Sequence, residues 1–158
     1  MKSKTIIFSQ DDLPLVAGQL VALMDRYKIF TFTGPLGAGK TSLIAQMLKQ
    51  KGVTQAVTSP TFTYVNLYEN DKGQLFYHFD LYRIETLQAF IAAGFNEYLY
   101  VPNSWAFIEW PEVIMPLLTE AVCHCTIDYH DQKRIITITT DWQKNDLRNY
   151  SNSKFTII

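Results

Sequence analysis

The sequence predicts an α/β protein of three layers: a central mixed sheet, parallel in its core and antiparallel at its edges, with helices on both faces. Three observations carry that prediction. A β-branched and aromatic run, Tyr27 to Thr33, passes through a glycine-rich loop into helical spacing from Ser42 to Leu48. Two further pairs of strand-like runs enclose short polar turns, the mark of hairpins. Mixing parallel-type units with hairpins places antiparallel strands at the sheet edges.

With 158 residues, 47% hydrophobic and 18% charged, the chain suits one domain spanning 1–158 with a real core. No window has the apolar length a membrane span needs, and Met1 to Phe8 lack the apolar centre of a signal peptide, so a cytoplasmic protein without membrane contact is expected. The formal net charge of −1 disfavours broad nucleic-acid binding, which rests on many Lys and Arg contacts to phosphate.

In chain order, Thr5 to Phe8 reads as a short strand, and Ser9 as the cap of a helix whose first turn holds Asp11, Asp12 and Pro14. Leu15, Leu20, Leu23 and Met24 fall near one face of that helix. The loop helix is expected to stop near Lys51-Gly52. Phe62 to Tyr68 and Gln74 to Tyr82 form the first predicted hairpin, around Glu69 to Gly73. Ile84 to Ala93 reads as a helix ended by Gly94, Trp105 to Glu109 as a strand, and Glu112 to Leu118 as a short helix after Pro111. Val122 to Tyr129 and Arg134 to Thr140 form the second hairpin; the tail 141–158 is polar, without a period, and receives no fold.

The glycine loop carries the chemistry. Gly34 to Thr41 reads G-x-x-x-x-G-K-T, the phosphate-binding loop, and it stands between strand and helix as that motif requires, so the predicted fold is P-loop NTPase-like. Glycines let backbone N–H groups wrap a phosphate, and the helix start adds partial positive charge. Gly37, Ala38, Gly39, Lys40, Thr41 and Ser42 are therefore the candidate cofactor-binding residues, with Lys40 reaching phosphates and Thr41 a magnesium ion.

Such a loop needs an acid for its metal. Asp80 and Glu109 each end a predicted strand, where ligands of open α/β sheets gather. With Lys40 they are the candidate catalytic groups, and with Thr41 the candidate metal ligands; spacing leaves open which acid holds the ion and which orients water. Thr58-Ser59-Pro60-Thr61 has the hydroxyls of a switch segment. Arg83 reads as a phosphate or partner contact or a surface ion pair, Trp110 as core or nucleotide packing, and His78, His124 and His130 as structural or surface histidines. Cys123 and Cys125 share one strand face and are too few for a structural zinc site.

The phosphate loop, Thr58-Ser59-Pro60-Thr61, His78-Phe79-Asp80-Leu81-Tyr82-Arg83 and Ile108-Glu109-Trp110-Pro111, in that order, resemble the bacterial TsaE family. The likeness runs from about Ser9 to Leu118. It implies ATP and Mg2+ as cofactors and weak ATPase activity. It further implies work with TsaD-like and TsaB-like proteins to place threonylcarbamoyl on N6 of adenosine 37, in tRNAs reading codons that begin with A. tRNA would then be met only through the complex. The resemblance also implies nucleotide sensing by Thr61, while Ser9 and Asp11 are the candidates for the adenine side.

Rival classes make different demands. A small-molecule kinase closes an arginine-bearing lid over its phosphates; Arg26, Arg83, Arg134 and Arg148 are dispersed. A GTPase would carry N-K-x-D, which this sequence lacks. A nucleotide-gated scaffold would bind partners without turnover. The aromatic segment with Phe95, Tyr98, Tyr100 and Trp105 reads as packing or as partner surface.

Overall fold

All five side chains of β2 (Ile29–Thr33) are buried, as befits a strand covered on both faces. The computed structural model describes residues 1–119 and 121–141. It contains β1 (Lys2–Phe8), α1 (Leu13–Val21), β2, α2 (Lys40–Gln50), β3 (Val65–Glu69), β4 (Leu75–Asp80), α3 (Leu87–Ala92), β5 (Ser104–Glu109), β6 (Val122–His130) and β7 (Lys133–Thr140).

The seven strands make one sheet in the order β1-β7-β6-β2-β5-β4-β3. β2 runs parallel to β5 and β6, and β4 runs parallel to β5. β7, β1 and β3 join through antiparallel pairings. The parallel core with antiparallel edges is thus the predicted arrangement.

Two apolar layers hold the sheet. One face buries Val16, Leu20, Leu43, Ile44 and Met47 of α1 and α2 against Phe30, Phe76 and Phe107. The other buries Phe90, Ile114 and Met115 against Ile29, Phe79 and Ile108. Phe30 and Phe107 stack across neighbouring strands with ring centroids 5.6 Å apart, and each fully buried side chain of this size contributes about 1.5–3 kcal/mol. Strand alternation therefore sends Phe76, His78 and Asp80 to the α2 face, and Phe107 and Glu109 with them.

Several boundaries move. Ser9 opens a 3-10 turn, Gln10–Asp12, before α1 begins at Leu13. Both its backbone N–H and its hydroxyl donate to Asp12 Oδ2, at 2.8 and 2.6 Å, which tightens the turn. β1 starts earlier than expected because Lys2 to Phe8 all find partners on β7. Phe62 is in a turn and not in the hairpin, whose first strand starts at Val65. Pro111–Leu117 is a 3-10 helix with Pro116 inside it, where an α-helix is disfavoured by the clash of the proline ring with the preceding turn. Cys123 and Cys125 are buried free thiols. Tyr98 stacks on Tyr77 at 5.1 Å, and the Tyr100 hydroxyl donates to the Leu117 carbonyl, so both aromatics serve local packing while partly exposed. Apart from Asp141, the predicted tail lies outside the described residues.

Candidate functional site

The loop between β2 and α2 is built by glycines in conformations other residues resist. Gly34 has φ 135, Gly37 φ 74 and Gly39 φ 104. A Cβ on Gly34 would sit 1.9 Å from the Ile127 carbonyl oxygen, so close approach to β6 requires glycine there. At Gly39 a Cβ would meet nothing within 4 Å. The backbone at Gly39 opens onto a cavity of about 430 Å³.

That cavity is lined from four sides. The loop and α2 supply Leu36, Gly37, Gly39, Lys40, Thr41 and Ser42, and the polar segment supplies Ser59 and Thr61. Asp80, Tyr82 and Arg83 come from the end of β4, and Glu109 and Trp110 from the end of β5. Asp80 and Glu109 are direct register partners in the parallel β4–β5 pair, so two carboxylates lie side by side on one face. Like charges in that relation oppose each other unless a cation lies nearby. Both are buried, at 6% and 3% exposed, so neither is a solvated acid at a strand end.

Each functional group is held. Thr41 Oγ1 donates to Glu109 Oε1 at 2.7 Å, and His78 Nε2 lies 2.8 Å from the same oxygen. Asp80 Oδ2 accepts from Ser59 at 2.6 Å and from Thr61 at 3.5 Å, while Oδ1 accepts the Tyr82 N–H. Lys40 Nζ donates to the carbonyls of Gly34 and Pro35 and lies 4.2 Å from the Trp110 ring centroid. Burial pulls its ammonium below the ordinary lysine range, against the opposing attraction of Glu109, Asp80 and Glu112. Trp110 itself takes φ 57 and ψ 57, a backbone strain of about 1–3 kcal/mol of the kind that concentrates at functional sites.

The sequence-predicted residues separate into two sets. Gly37, Gly39, Lys40, Thr41, Ser42, Thr61, Asp80 and Glu109 converge on the cavity. Ala38 is buried behind the loop, its N–H donating to the Pro35 carbonyl. Ser9 and Asp11 follow the end of β1, outside the cavity lining, and the Ser9 hydroxyl is taken up by Asp12. Arg83 makes no ion pair among the described residues; its guanidinium lies 4.6 Å from the Phe62 ring centroid.

Two participants escaped the sequence reading. His78 is fully buried and touches Glu109, whereas its sequence position suggested only a structural or surface role. The available signal was alternation: a residue two before Asp80 in a strand shares its face. His78 Nδ1 has no partner among the described residues, an arrangement that costs about 1–3 kcal/mol. Tyr82 is the other, its ring 4.9 Å from that of Trp110 at the cavity mouth. His124 is structural, in contact with Thr31 through Nδ1.

A buried parallel strand, a glycine loop, a helix starting at lysine and two acids on adjacent strand ends define a P-loop α/β protein. Residues 7–136 match the family described as "Threonylcarbamoyl adenosine biosynthesis protein TsaE", and the chain belongs to that family. Relatives called tRNA threonylcarbamoyladenosine biosynthesis protein TsaE include one from Haemophilus influenzae, 40% identical over 121 residues and 75% of each chain. Another, from Aquifex aeolicus, is 43% identical over 112 residues, 69% of this chain and 77% of its own. The fold is similar to that reported as "Crystal structure of Bacillus subtilus YdiB", with TM-score 0.71, 25% identity and coverage of 96% of this chain and 97% of the other.

Proposed function

We propose that this chain binds ATP with Mg2+, hydrolyses it slowly alone, and does so faster with TsaD-like and TsaB-like partners. The product of that assembly is N6-threonylcarbamoyladenosine at position 37 of tRNAs reading codons that begin with A. The observation that carries this reading is the convergence of Lys40, Thr41, Asp80 and Glu109 on one glycine-built cavity. The family supplies the pathway.

The residues present fit both groups. Open space beside Gly39 and the adjoining start of α2 suit a phosphate. A hydroxyl and two carboxylates are hard oxygen donors of the kind magnesium takes, alongside phosphate oxygens and water. Among the described residues no three His, Cys, Asp or Glu side chains gather into a metal site, so Thr41 and the nucleotide would complete the ion's ligands. When bound, the ion would offset charge on the phosphate oxygens.

In this assignment Lys40 leaves the Gly34 and Pro35 carbonyls for the phosphates, and the attraction of an anion raises its depressed ammonium pKa. Thr41 and one of the two acids hold the ion; the other acid orients water. Ser59 and Thr61 exchange their bonds to Asp80 for contact with the bound group, which makes the segment responsive to nucleotide. For the adenine side the proposal keeps Ser9 and Asp11, in the turn that precedes α1. The whole operates as a single ATPase unit, and tRNA is met through the complex.

Calorimetric titration of MgATP and MgGTP against the wild type and Lys40→Ala tests the reading. ATP binding that exceeds GTP binding and is lost in Lys40→Ala is expected; equal or tighter GTP binding contradicts it. Transfer of phosphate to a metabolite in a substrate screen would favour the kinase alternative. ATP-dependent partner binding with unchanged turnover in Glu109→Ala would favour the scaffold alternative.

A further inference from the structure

We propose that His78 is a positioning residue that fixes the Glu109 carboxylate from behind. This rests on the magnesium–nucleotide reading of the cavity and takes Glu109 as the acid that holds the ion, since Thr41 is bonded to Glu109 and not to Asp80. The glutamate's Oε1 has two partners of different character. Thr41 approaches from the cavity side, on the first turn of α2, where its hydroxyl is open to whatever the cavity holds. His78 approaches from the sheet interior, 2.8 Å away, with its side chain wholly shielded from solvent. A carboxylate only accepts, so Nε2 is the protonated nitrogen and the donor.

The register explains the contact. His78 pairs with Phe107 on β5, and Glu109 lies two residues further along the same face, within diagonal reach across a parallel pair. Next on β4 in that direction is Asp80, opposite Glu109. The imidazole therefore stands on the same face as the two acids, one step deeper. Packing does not explain it: Nδ1 is left without a partner among the described residues, on a face where Phe76 and Phe107 show that apolar rings fit. A hydrogen-bonded partner behind a ligating carboxylate fixes its orientation and raises the affinity of the site.

The test is cation affinity in two variants. His78→Gln keeps a donor near the Nε2 position, and His78→Leu removes it. Mn2+ is titrated as a magnesium substitute by electron paramagnetic resonance, with ADP saturating, and nucleotide affinity is measured separately in EDTA. His78→Leu is expected to weaken cation binding about 10- to 100-fold, His78→Gln by less than about threefold, with metal-free ADP affinity unchanged in both. Should His78→Leu fail to fold by circular dichroism, His78→Asn, whose shorter amide reaches only the Nδ1 position, replaces it with the same expectation. Wild-type cation affinity in the variant lacking the donor overturns the proposal. Glu109→Gln separates the two levels: if it too leaves cation affinity unchanged, the assignment of Glu109 fails. If it weakens binding while His78→Leu does not, only the role of His78 fails.

Discussion

Thr41 Oγ1 donates to Glu109 Oε1 across 2.7 Å, joining the first turn of α2 to the end of β5. The bond holds the hydroxyl and an acid of the proposed metal site together before any ion arrives. Thr41→Ser keeps the hydroxyl and is expected to keep the magnesium dependence of nucleotide binding. Thr41→Val removes it and should raise the magnesium concentration at half-saturation by at least about tenfold, the loss typical of a weakened metal site. Calorimetry across a magnesium series reads both.

Gly34 and Gly39 both have positive φ, yet their surroundings differ. At Gly34 a methyl group meets backbone 1.9 Å away, which cannot yield without moving β6. Gly34→Ala should therefore cost several times the stability lost in Gly39→Ala, where only backbone strain of about 1–3 kcal/mol applies. Urea unfolding measures the two losses; equal values would contradict the packing argument.

His124 provides the pH prediction. Burial lowers its pKa from 6.5 to about 4, so the folded chain keeps the ring neutral where an unfolded chain protonates it. Stability from this residue is thus complete above about pH 6.5 and lost as pH falls toward 4, by about 3 kcal/mol in all. His124→Gln should flatten the pH dependence of unfolding free energy by that amount over the same window. An identical slope in the variant would count against it.

Ser59 holds the segment 58–61 to Asp80 through a 2.6 Å bond, much shorter than the 3.5 Å contact from Thr61, and the adjacent Phe62 is 80% exposed. Loss of the bond in Ser59→Ala, worth about 1 kcal/mol at a partly exposed site, should speed chymotrypsin cleavage after Phe62 about fivefold in the nucleotide-free protein. Timed digestion followed by mass spectrometry gives the rate, and no acceleration would remove Ser59 as the latch.

The sequence made the sheet legible wherever local pattern and burial agree. Ile29 to Thr33 is a run of aromatic and β-branched residues, and Trp105 to Ile108 an apolar one, because both faces of those strands are covered. Phe62 departs from the expected strand: an aromatic beside Thr and Tyr has strand propensity, but it lies in a turn with its ring against Arg83. The site was legible in Lys40, Thr41, Asp80 and Glu109, whose spacing is local to motifs. His78 and Tyr82 were not, because their roles depend on register and on a strained turn at Trp110 that brings rings from two strand ends together. Ser9 and Asp11 lie outside the cavity lining, and the Ser9 N–H and hydroxyl both go to Asp12, a local bond that no motif in the sequence announces.

The cavity between Lys40 and Glu109 is proposed as an ATPase site that answers to partner proteins. The measurement that tests it most directly is ATP turnover by the purified chain, alone and with TsaB-like and TsaD-like proteins, with Lys40→Ala as control. Slow turnover that rises when both partners are added, and vanishes in Lys40→Ala under every condition, is the predicted result. Turnover indifferent to the partners, or retained in Lys40→Ala, would contradict it.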